Sequence, residues 1–151
     1  MTENQEPELA RFNTIAMLGQ AYSLLGFQIV EGVVGAGHPI KPSHSAVFAQ
    51  IKPEGSRLTE LAAGANITPQ SMVEIVDELE ALGYVTRRPD PKDRRAKLIT
   101  LTVRGQAAVA AGESTLTGIE DDIVKILGTK GAAQLRAMLI KILSAPPTRD
   151  R

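Results

Sequence analysis

The stretch LTELAAGANITPQSMVEIVDELEALGYVTRRPDPKDRRAKLITLT, residues 58–102, decides the fold. Within it, Thr68 and Pro69 are typical of a helix start, because threonine caps unpaired N–H groups and proline fits the first turn. The apolar residues that follow recur at helical spacing, and Gly83 suits the left-handed conformation that ends a helix. A shorter helical segment ends near Gly64. The stretch therefore predicts two helices joined by a tight turn.

A two-stranded hairpin is predicted directly after the second helix. Residues 84–88 and 96–101 are compatible with β-strands, and the polar, turn-prone residues 89–95 form the tip between them. Helix, turn, helix and hairpin is the order of a winged helix-turn-helix, whose second helix is shaped to enter the DNA major groove. The predicted fold class is therefore mainly α with a small β-hairpin wing.

The hairpin carries a positive charge that the whole chain lacks. The chain has 17 Lys and Arg residues and 17 Asp and Glu residues, so its formal net charge is zero. Six cations of the hairpin stand against two acids: Arg87, Arg88, Lys92, Arg94, Arg95 and Lys97 against Asp90 and Asp93. An isolated basic loop is equally well a solvated turn, but beside a helix-turn-helix it is typical of a loop that contacts phosphates or enters a narrow minor groove. Asp93 is expected to hold the Arg95 guanidinium by a charge-assisted hydrogen bond.

The chain is predicted to fold as one domain over residues 1–151. Its predicted parts are a first helix over 8–34, a winged helix-turn-helix lobe over 43–101, a second helical run over 103–144 and a disordered tail over 145–151. Thr102 is suited to cap the second helical run, and Gly128 is expected to break it.

Composition excludes several functional classes. Cysteine is absent, which excludes disulfides, thiolate metal sites and sensing by thiol oxidation. No apolar run approaches the roughly 18 to 20 residues of a membrane span, and the acidic start does not resemble a signal peptide, so a cytoplasmic protein without membrane contact is expected. His38 and His44 fit no common zinc spacing, and catalytic motifs are missing. Neither an enzyme, a metal site nor a cofactor is predicted.

The core over residues 58–105 resembles the MarR (multiple antibiotic resistance regulator) family of bacterial transcription factors. The wing motif DPKDRRAKLITLT, following LEALGYVTRRP, carries the resemblance, and the order of the outer helices extends it over nearly the whole chain. The resemblance implies a homodimer, in which the helices over 8–34 and 103–144 pack together. It also implies that two winged lobes bind a pseudo-palindromic double-stranded DNA operator, most simply as a repressor.

Roles for individual residues also follow from the resemblance. Gln70 and Ser71 would contact bases or phosphates, Asp93 would orient Arg95, and Arg95 would enter the minor groove. The predicted DNA-binding residues are Thr68, Pro69, Gln70, Ser71, Asp93, Arg94, Arg95 and Lys97.

The family also binds small, often aromatic or phenolic, ligands between the dimer-forming helices and the DNA-binding lobe. His44 and Phe48 lie one helical turn apart and are candidates to line such a cavity. The alternative is structural, because a histidine near a helix start and a phenylalanine on an apolar face usually serve as cap and core.

The second helix departs from the family in being acidic. Residues 58–86 contain no Lys or Arg but five carboxylates: Glu60, Glu74, Asp77, Glu78 and Glu80. Many relatives carry a basic residue where Glu74 stands. A carboxylate accepts from cytosine N4 but repels phosphate, so Glu74 reads a base, faces away from DNA, or leaves a modest affinity dominated by the wing. The favoured readings are that Glu74 faces away from DNA or that the affinity is modest and dominated by the wing. The alternative function for the whole protein is a winged-helix dimer that serves protein contacts and binds DNA weakly.

Overall fold

The computed structural model describes residue 9 and residues 11–145. The elements in chain order are helix α1 (Thr14–Gly35), a 3-10 turn (Pro42–His44), α2 (Ser45–Phe48), α3 (Leu58–Gly64), α4 (Pro69–Ala81), strands β1 (Val85–Asp90) and β2 (Asp93–Leu101), and α5 (Val103–Ser144). The two strands pair antiparallel, with Val85 opposite Leu101. The mainly helical class with one hairpin is therefore confirmed.

The chain divides into two compact units, residues 1–115 and 116–151. The first unit holds the helix-turn-helix and the hairpin, and the second holds the later part of α5. The single domain over 1–151 stays a prediction. Apart from Ala145, the predicted disordered tail lies outside the described residues.

The first predicted helix, over residues 8–34, is interrupted: Leu9 is helical, residues 11–13 are not, and α1 begins at Thr14. The side chain of Asn13 accepts a hydrogen bond from the Ala16 N–H at 2.9 Å and so caps the helix that begins at Thr14. Residues 11–13 do not continue a helix. Asparagine is among the strongest N-cap residues, and here its capping outweighs the apolar periodicity that continues upstream. The prediction of one continuous helix over 8–34 is therefore wrong at its start.

The helix-turn-helix confirms the start and the end predicted for its second helix. The Thr68 hydroxyl oxygen accepts from the Ser71 N–H at 3.1 Å, and Pro69 is the first residue of α4. At the other end Gly83 has a φ of +78°, the left-handed conformation expected of it. Asn66, in the turn before α4, also has a positive φ of 54°, which asparagine tolerates better than most residues.

The core of the first unit lies beneath α3 and α4. Its largest fully buried apolar side chains are Val47, Leu61, Met72, Val76, Leu79, Tyr84, Val85 and Ile99. The Tyr84 ring meets the edge of the Phe48 ring at 5.9 Å between centroids, and its hydroxyl lies 3.3 Å from Nδ1 of His38. This packing fixes α4 relative to α2 and the base of the hairpin.

The hairpin is longer than predicted. β1 continues to Asp90 and β2 starts at Asp93, so only two residues form the tip in place of the predicted seven over 89–95. A bulge lies between Pro89 and Asp90, and the Asp90 carboxylate accepts the Lys92 N–H at 2.8 Å. This side-chain bond closes the turn locally, which allows polar residues without β propensity to remain paired.

A second cap joins the hairpin to α5. The Thr102 hydroxyl donates to the Gly83 carbonyl at 2.6 Å, and its oxygen accepts the Gly105 N–H at 3.0 Å. The predicted cap is thus confirmed. Gly105 is buried against Tyr84, and a Cβ built on it would lie 2.1 Å from the Tyr84 carbonyl oxygen.

The second unit shows the predicted break and exposes several large apolar side chains. Gly128 has φ 72° and ψ 161°, so two helical segments of α5 meet there at a kink. The large apolar side chains that are exposed in this unit are Leu116, Val124, Ile126, Leu127, Met138, Ile140, Ile142 and Leu143. Within residues 9 and 11–145, no helix is both long and apolar enough to cross a membrane.

Candidate nucleic-acid interface

The first turn of α4 presents four of the predicted DNA-binding residues. Thr68, Pro69, Gln70 and Ser71 are all exposed. The Thr68 hydroxyl donates to Oγ of Ser71 at 2.9 Å while its oxygen caps the helix, so these two side chains hold each other in place. A helix start with exposed polar side chains suits contacts to phosphates and base edges, because the helix dipole is positive there.

Three more predicted residues lie on β2. Arg94, Arg95 and Lys97 are exposed, and across the described part of the chain their side chains form no ion pair or hydrogen bond. Because side chains alternate along a strand, Arg95 and Lys97 point to one side of the hairpin and Arg94 to the other. Their charges are therefore available to a polyanion.

Asp93 does not hold the Arg95 guanidinium, and that expectation is wrong. Its Oδ1 accepts the backbone N–H of Arg95 at 3.1 Å, and its Oδ2 lies 3.9 Å from Nη2 of Arg57. A short aspartate side chain readily bonds the N–H two residues ahead, and this local bond forms in place of a longer reach to the guanidinium. Asp93 shapes the turn and leaves the Arg95 side chain uncommitted.

An ion pair between Arg57 and Asp90 anchors the hairpin tip. Asp90 is only 5% exposed, and its Oδ2 accepts from Nε and Nη2 of Arg57 at 2.9 and 2.6 Å. The Lys92 N–H and the Arg57 guanidinium hold the pKa of Asp90 below its usual range. Arg57 immediately precedes α3, so the pair ties the tip to the start of the helix-turn-helix. No local pattern links residues 33 positions apart, so the pair is not visible in the sequence.

This pair predicts a specific dependence of stability on pH. Because the folded state lowers the pKa of Asp90, the unfolded chain binds more protons, and the stabilisation is present above the ordinary aspartate pKa of about 3.9. It is lost as the pH falls through the folded pKa. We expect Asp90→Asn to lower the urea midpoint at pH 7 and to differ less from the unchanged chain at about pH 3, measured at one protein concentration.

The control for this test is Asp121→Asn, which removes an exposed carboxylate from α5. It is expected to change the urea midpoint little at either pH. If Asp90→Asn lowered the urea midpoint equally at both pH values, the role assigned to the carboxylate charge would be contradicted.

Most acids of the helix-turn-helix have basic or backbone partners. Arg87 of β1 donates from Nη2 to Asp77 at 2.6 Å and from Nη1 to Glu80, whose Oε1 also accepts the Arg87 N–H at 3.1 Å. Glu60 accepts the Arg57 N–H at 3.0 Å. One of the six hairpin cations is therefore committed within the lobe, where it compensates two acids of α4.

Glu78 is compensated from the opposite side of α4. Its Oε2 lies 2.9 Å from both Nζ of Lys41 and Nε2 of His44. The hydrogen bond from Lys41 is the main cause, and the one with His44 the next, that holds the pKa of Glu78 below its usual range. In contrast, Glu74 is exposed and has no hydrogen bond or ion pair with any residue that the structure describes. Glu74 is thus the one carboxylate of α4 that no described residue pairs.

The two predicted ligand residues have structural surroundings. His44 is fully buried, its Nδ1 accepts the Lys41 N–H at 3.1 Å, and its Nε2 faces Glu78. Phe48 packs edge-on against Tyr84. This geometry matches the cap-and-core alternative, and a ligand at these two residues stays a prediction. Among residue 9 and residues 11–145, no group of three or more His, Asp or Glu side chains could hold a metal ion.

Comparison with known proteins gives a family match over part of the chain and a fold over nearly all of it. The sequence profile of the MarR family matches residues 38–96. The chain is also similar to the transcriptional repressor CouR of Rhodococcus jostii RHA1 bound to a 23-mer DNA duplex, at 25% identity over 95% of this chain and 98% of CouR, with a TM-score of 0.71. CouR bound to p-coumaroyl-CoA matches at 25% identity, over 92% and 96% of the chains, with a TM-score of 0.70.

A more distant structure agrees on the architecture. The apo form of wild-type MarR from E. coli is 20% identical to this chain. The match covers 87% of this chain and 97% of that protein, with a TM-score of 0.70. This likeness shows the fold. Together with the hairpin and the capped α4, it confirms the winged helix-turn-helix class.

Proposed function

We propose that this chain, whose residues 38–96 match the MarR family profile, is a DNA-binding transcriptional repressor of that family that acts as a homodimer on a pseudo-palindromic operator. The observation that carries the proposal is the pairing of an exposed, capped start of α4 with three uncommitted cations on β2. One element suits base edges and the other suits phosphates or the minor groove. The protein acts by binding, without catalysis, and its place of action is the cytoplasm.

The proposed DNA contacts are divided between the two elements. Gln70 and Ser71 lie at the groove-facing start of α4, with Thr68 and Pro69 fixing the helix beneath them. Arg95 enters the minor groove, and Arg94 and Lys97 contact the flanking phosphates. Asp93 acts indirectly, because it shapes the turn through the Arg95 N–H and leaves the guanidinium exposed.

Relief of repression by a small molecule is part of the same proposal. CouR, the DNA-bound relative, is also known bound to p-coumaroyl-CoA, a phenolic acyl thioester. We propose that an aromatic or phenolic ligand lowers operator affinity in this protein. His44 and Phe48 are the residues put forward for that site.

A binding titration tests the proposal on duplexes recovered from a random pool. We expect binding that weakens steeply with salt, because phosphate contacts release condensed counterions. Arg95→Ala is expected to weaken binding about tenfold or more, and to lower the slope of log affinity against log salt by roughly one unit for each copy. Fluorescence anisotropy at several salt concentrations measures both quantities.

The control is Lys125→Ala, which removes an exposed cation of α5 outside both the winged lobe and residues 131–151. It is expected to leave the salt dependence nearly unchanged. Absent binding, or binding that salt does not weaken, would instead favour a winged dimer that serves protein contacts.

A further inference from the structure

Glu74 occupies the face of α4 that points away from the core. Successive residues of a helix are about 100° apart, so Glu74 lies nearly beneath Gln70, four positions earlier. The buried residues of α4, Met72, Val76 and Leu79, lie on the opposite side. In a helix seated in the major groove, the outward face meets the base edges. Glu74 is therefore placed where bases are read.

The remaining acids of α4 do not share this situation. Arg87 compensates Asp77 and Glu80, and Lys41 compensates Glu78. Asp77 and Glu78 lie near Glu74 on the helix, but both are paired, so Glu74 is the one carboxylate of the outward face that no described residue pairs. Since a free carboxylate on that face repels phosphates, its presence costs non-specific affinity. A compensating contact with a base would turn that cost into selectivity.

The chemistry of a carboxylate selects one base. An ionised glutamate only accepts hydrogen bonds. In the major groove guanine offers acceptors, thymine offers an acceptor and a methyl group, and adenine sets its amino group beside the N7 acceptor. Cytosine offers its N4 amino group as a donor without an adjacent acceptor. The carboxylate therefore discriminates in favour of cytosine.

We propose that Glu74 is a specificity-determining residue that accepts a hydrogen bond from the N4 amino group of a cytosine in each half-site of the operator. The inference rests on the proposed function and deepens it. It assigns sequence discrimination to the outward face of α4 and the salt-dependent affinity to the hairpin cations. The two contributions are therefore separable by substitution.

The experiment compares three versions of the full chain in selection from a random duplex pool. The unchanged chain is expected to select a cytosine at one position of each half-site. Glu74→Gln is expected to shift that position towards adenine, because an amide both accepts from N6 and donates to N7. Glu74→Ala is expected to lose the preference there and to keep the preferences at other positions. Glu120→Ala, which removes an exposed carboxylate of α5, is expected to select the same sites as the unchanged chain.

A modified duplex then isolates the single hydrogen bond. N4-methylcytosine still pairs with guanine, but its methyl group replaces the N–H that faces the major groove. The unchanged chain is expected to bind this duplex about tenfold more weakly than the unmodified one, whereas Glu74→Ala should bind both equally. Selection of identical sites by all Glu74 variants would overturn the inference and leave the proposed function intact. If the unchanged chain selected no sequence at all, the proposed function would fall, and this inference with it.

Discussion

Removing residues 131–151 is expected to abolish dimerisation and operator binding together. The segment carries large apolar side chains that are more than half exposed within the chain, with Leu143 at 83%. Exposed apolar patches of this kind mark interfaces, and the proposed homodimer pairs its terminal helices. A single winged lobe loses the second half-site contact, which weakens binding by about 100-fold to 10,000-fold. Light scattering coupled to size exclusion, and anisotropy with the selected duplex, measure the two losses.

A full-length double variant separates loss of the interface from loss of the fold. It carries Ile142→Asp and Leu143→Asp, which place charges on two exposed positions. We expect a folded monomer with the same loss of operator binding. The control is Lys125→Ala, which breaks only the exposed contact with Asp122. A shortened chain that remained dimeric would disprove the assignment of this segment to the interface.

Gly105→Ala is expected to destabilise the winged lobe strongly. The added Cβ would lie 2.1 Å from the Tyr84 carbonyl oxygen, well inside contact distance, and that oxygen belongs to the backbone. Helix α5 must therefore move away from the base of the hairpin, which disturbs the Thr102 cap. Overpacking of this kind costs about 1–3 kcal/mol or more of unfolding free energy. Urea denaturation followed by circular dichroism measures the change.

Gly112→Ala is the matched control on the same helix. Its Cβ would meet only Cγ2 of Val33 at 3.5 Å, an ordinary contact distance. Replacing a helical glycine by alanine then favours the folded state by about 0.5–1 kcal/mol. Equal destabilisation by both substitutions would contradict the role given to the Tyr84 carbonyl.

The fold was largely predictable because its signals are local. Thr68, Pro69 and Gly83 predict the two ends of α4 through capping and backbone preference alone, and the structure confirms both. The start of α1 was not predictable in the same way, since apolar spacing continues upstream while the Asn13 cap begins the helix. The length of the hairpin depended on a side-chain bond to the Lys92 N–H, which strand propensity does not report.

The candidate site was likewise predictable only where its signals are local in the sequence. Basic residues on a hairpin tip are visible in the sequence, and Arg94, Arg95 and Lys97 are exposed as expected. The partners of the acidic residues are not visible, because they come from distant parts of the chain. Asp90 binds an arginine 33 positions earlier, and Glu78 binds a lysine 37 positions earlier. Because of these contacts, the acidic composition of α4 is compatible with the proposed binding to DNA.

The bridge from Arg87 to Asp77 and Glu80 has a consequence for signalling. Through this bridge, α4 and the hairpin behave as one rigid body, and the ion pair of Arg57 and Asp90 holds the hairpin tip. A ligand that binds elsewhere in the protein would then shift the whole winged lobe. We expect the ligand to alter the distance between the two lobes of the proposed dimer, so that both cannot contact their half-sites at the same time, while the internal geometry of each lobe is unchanged.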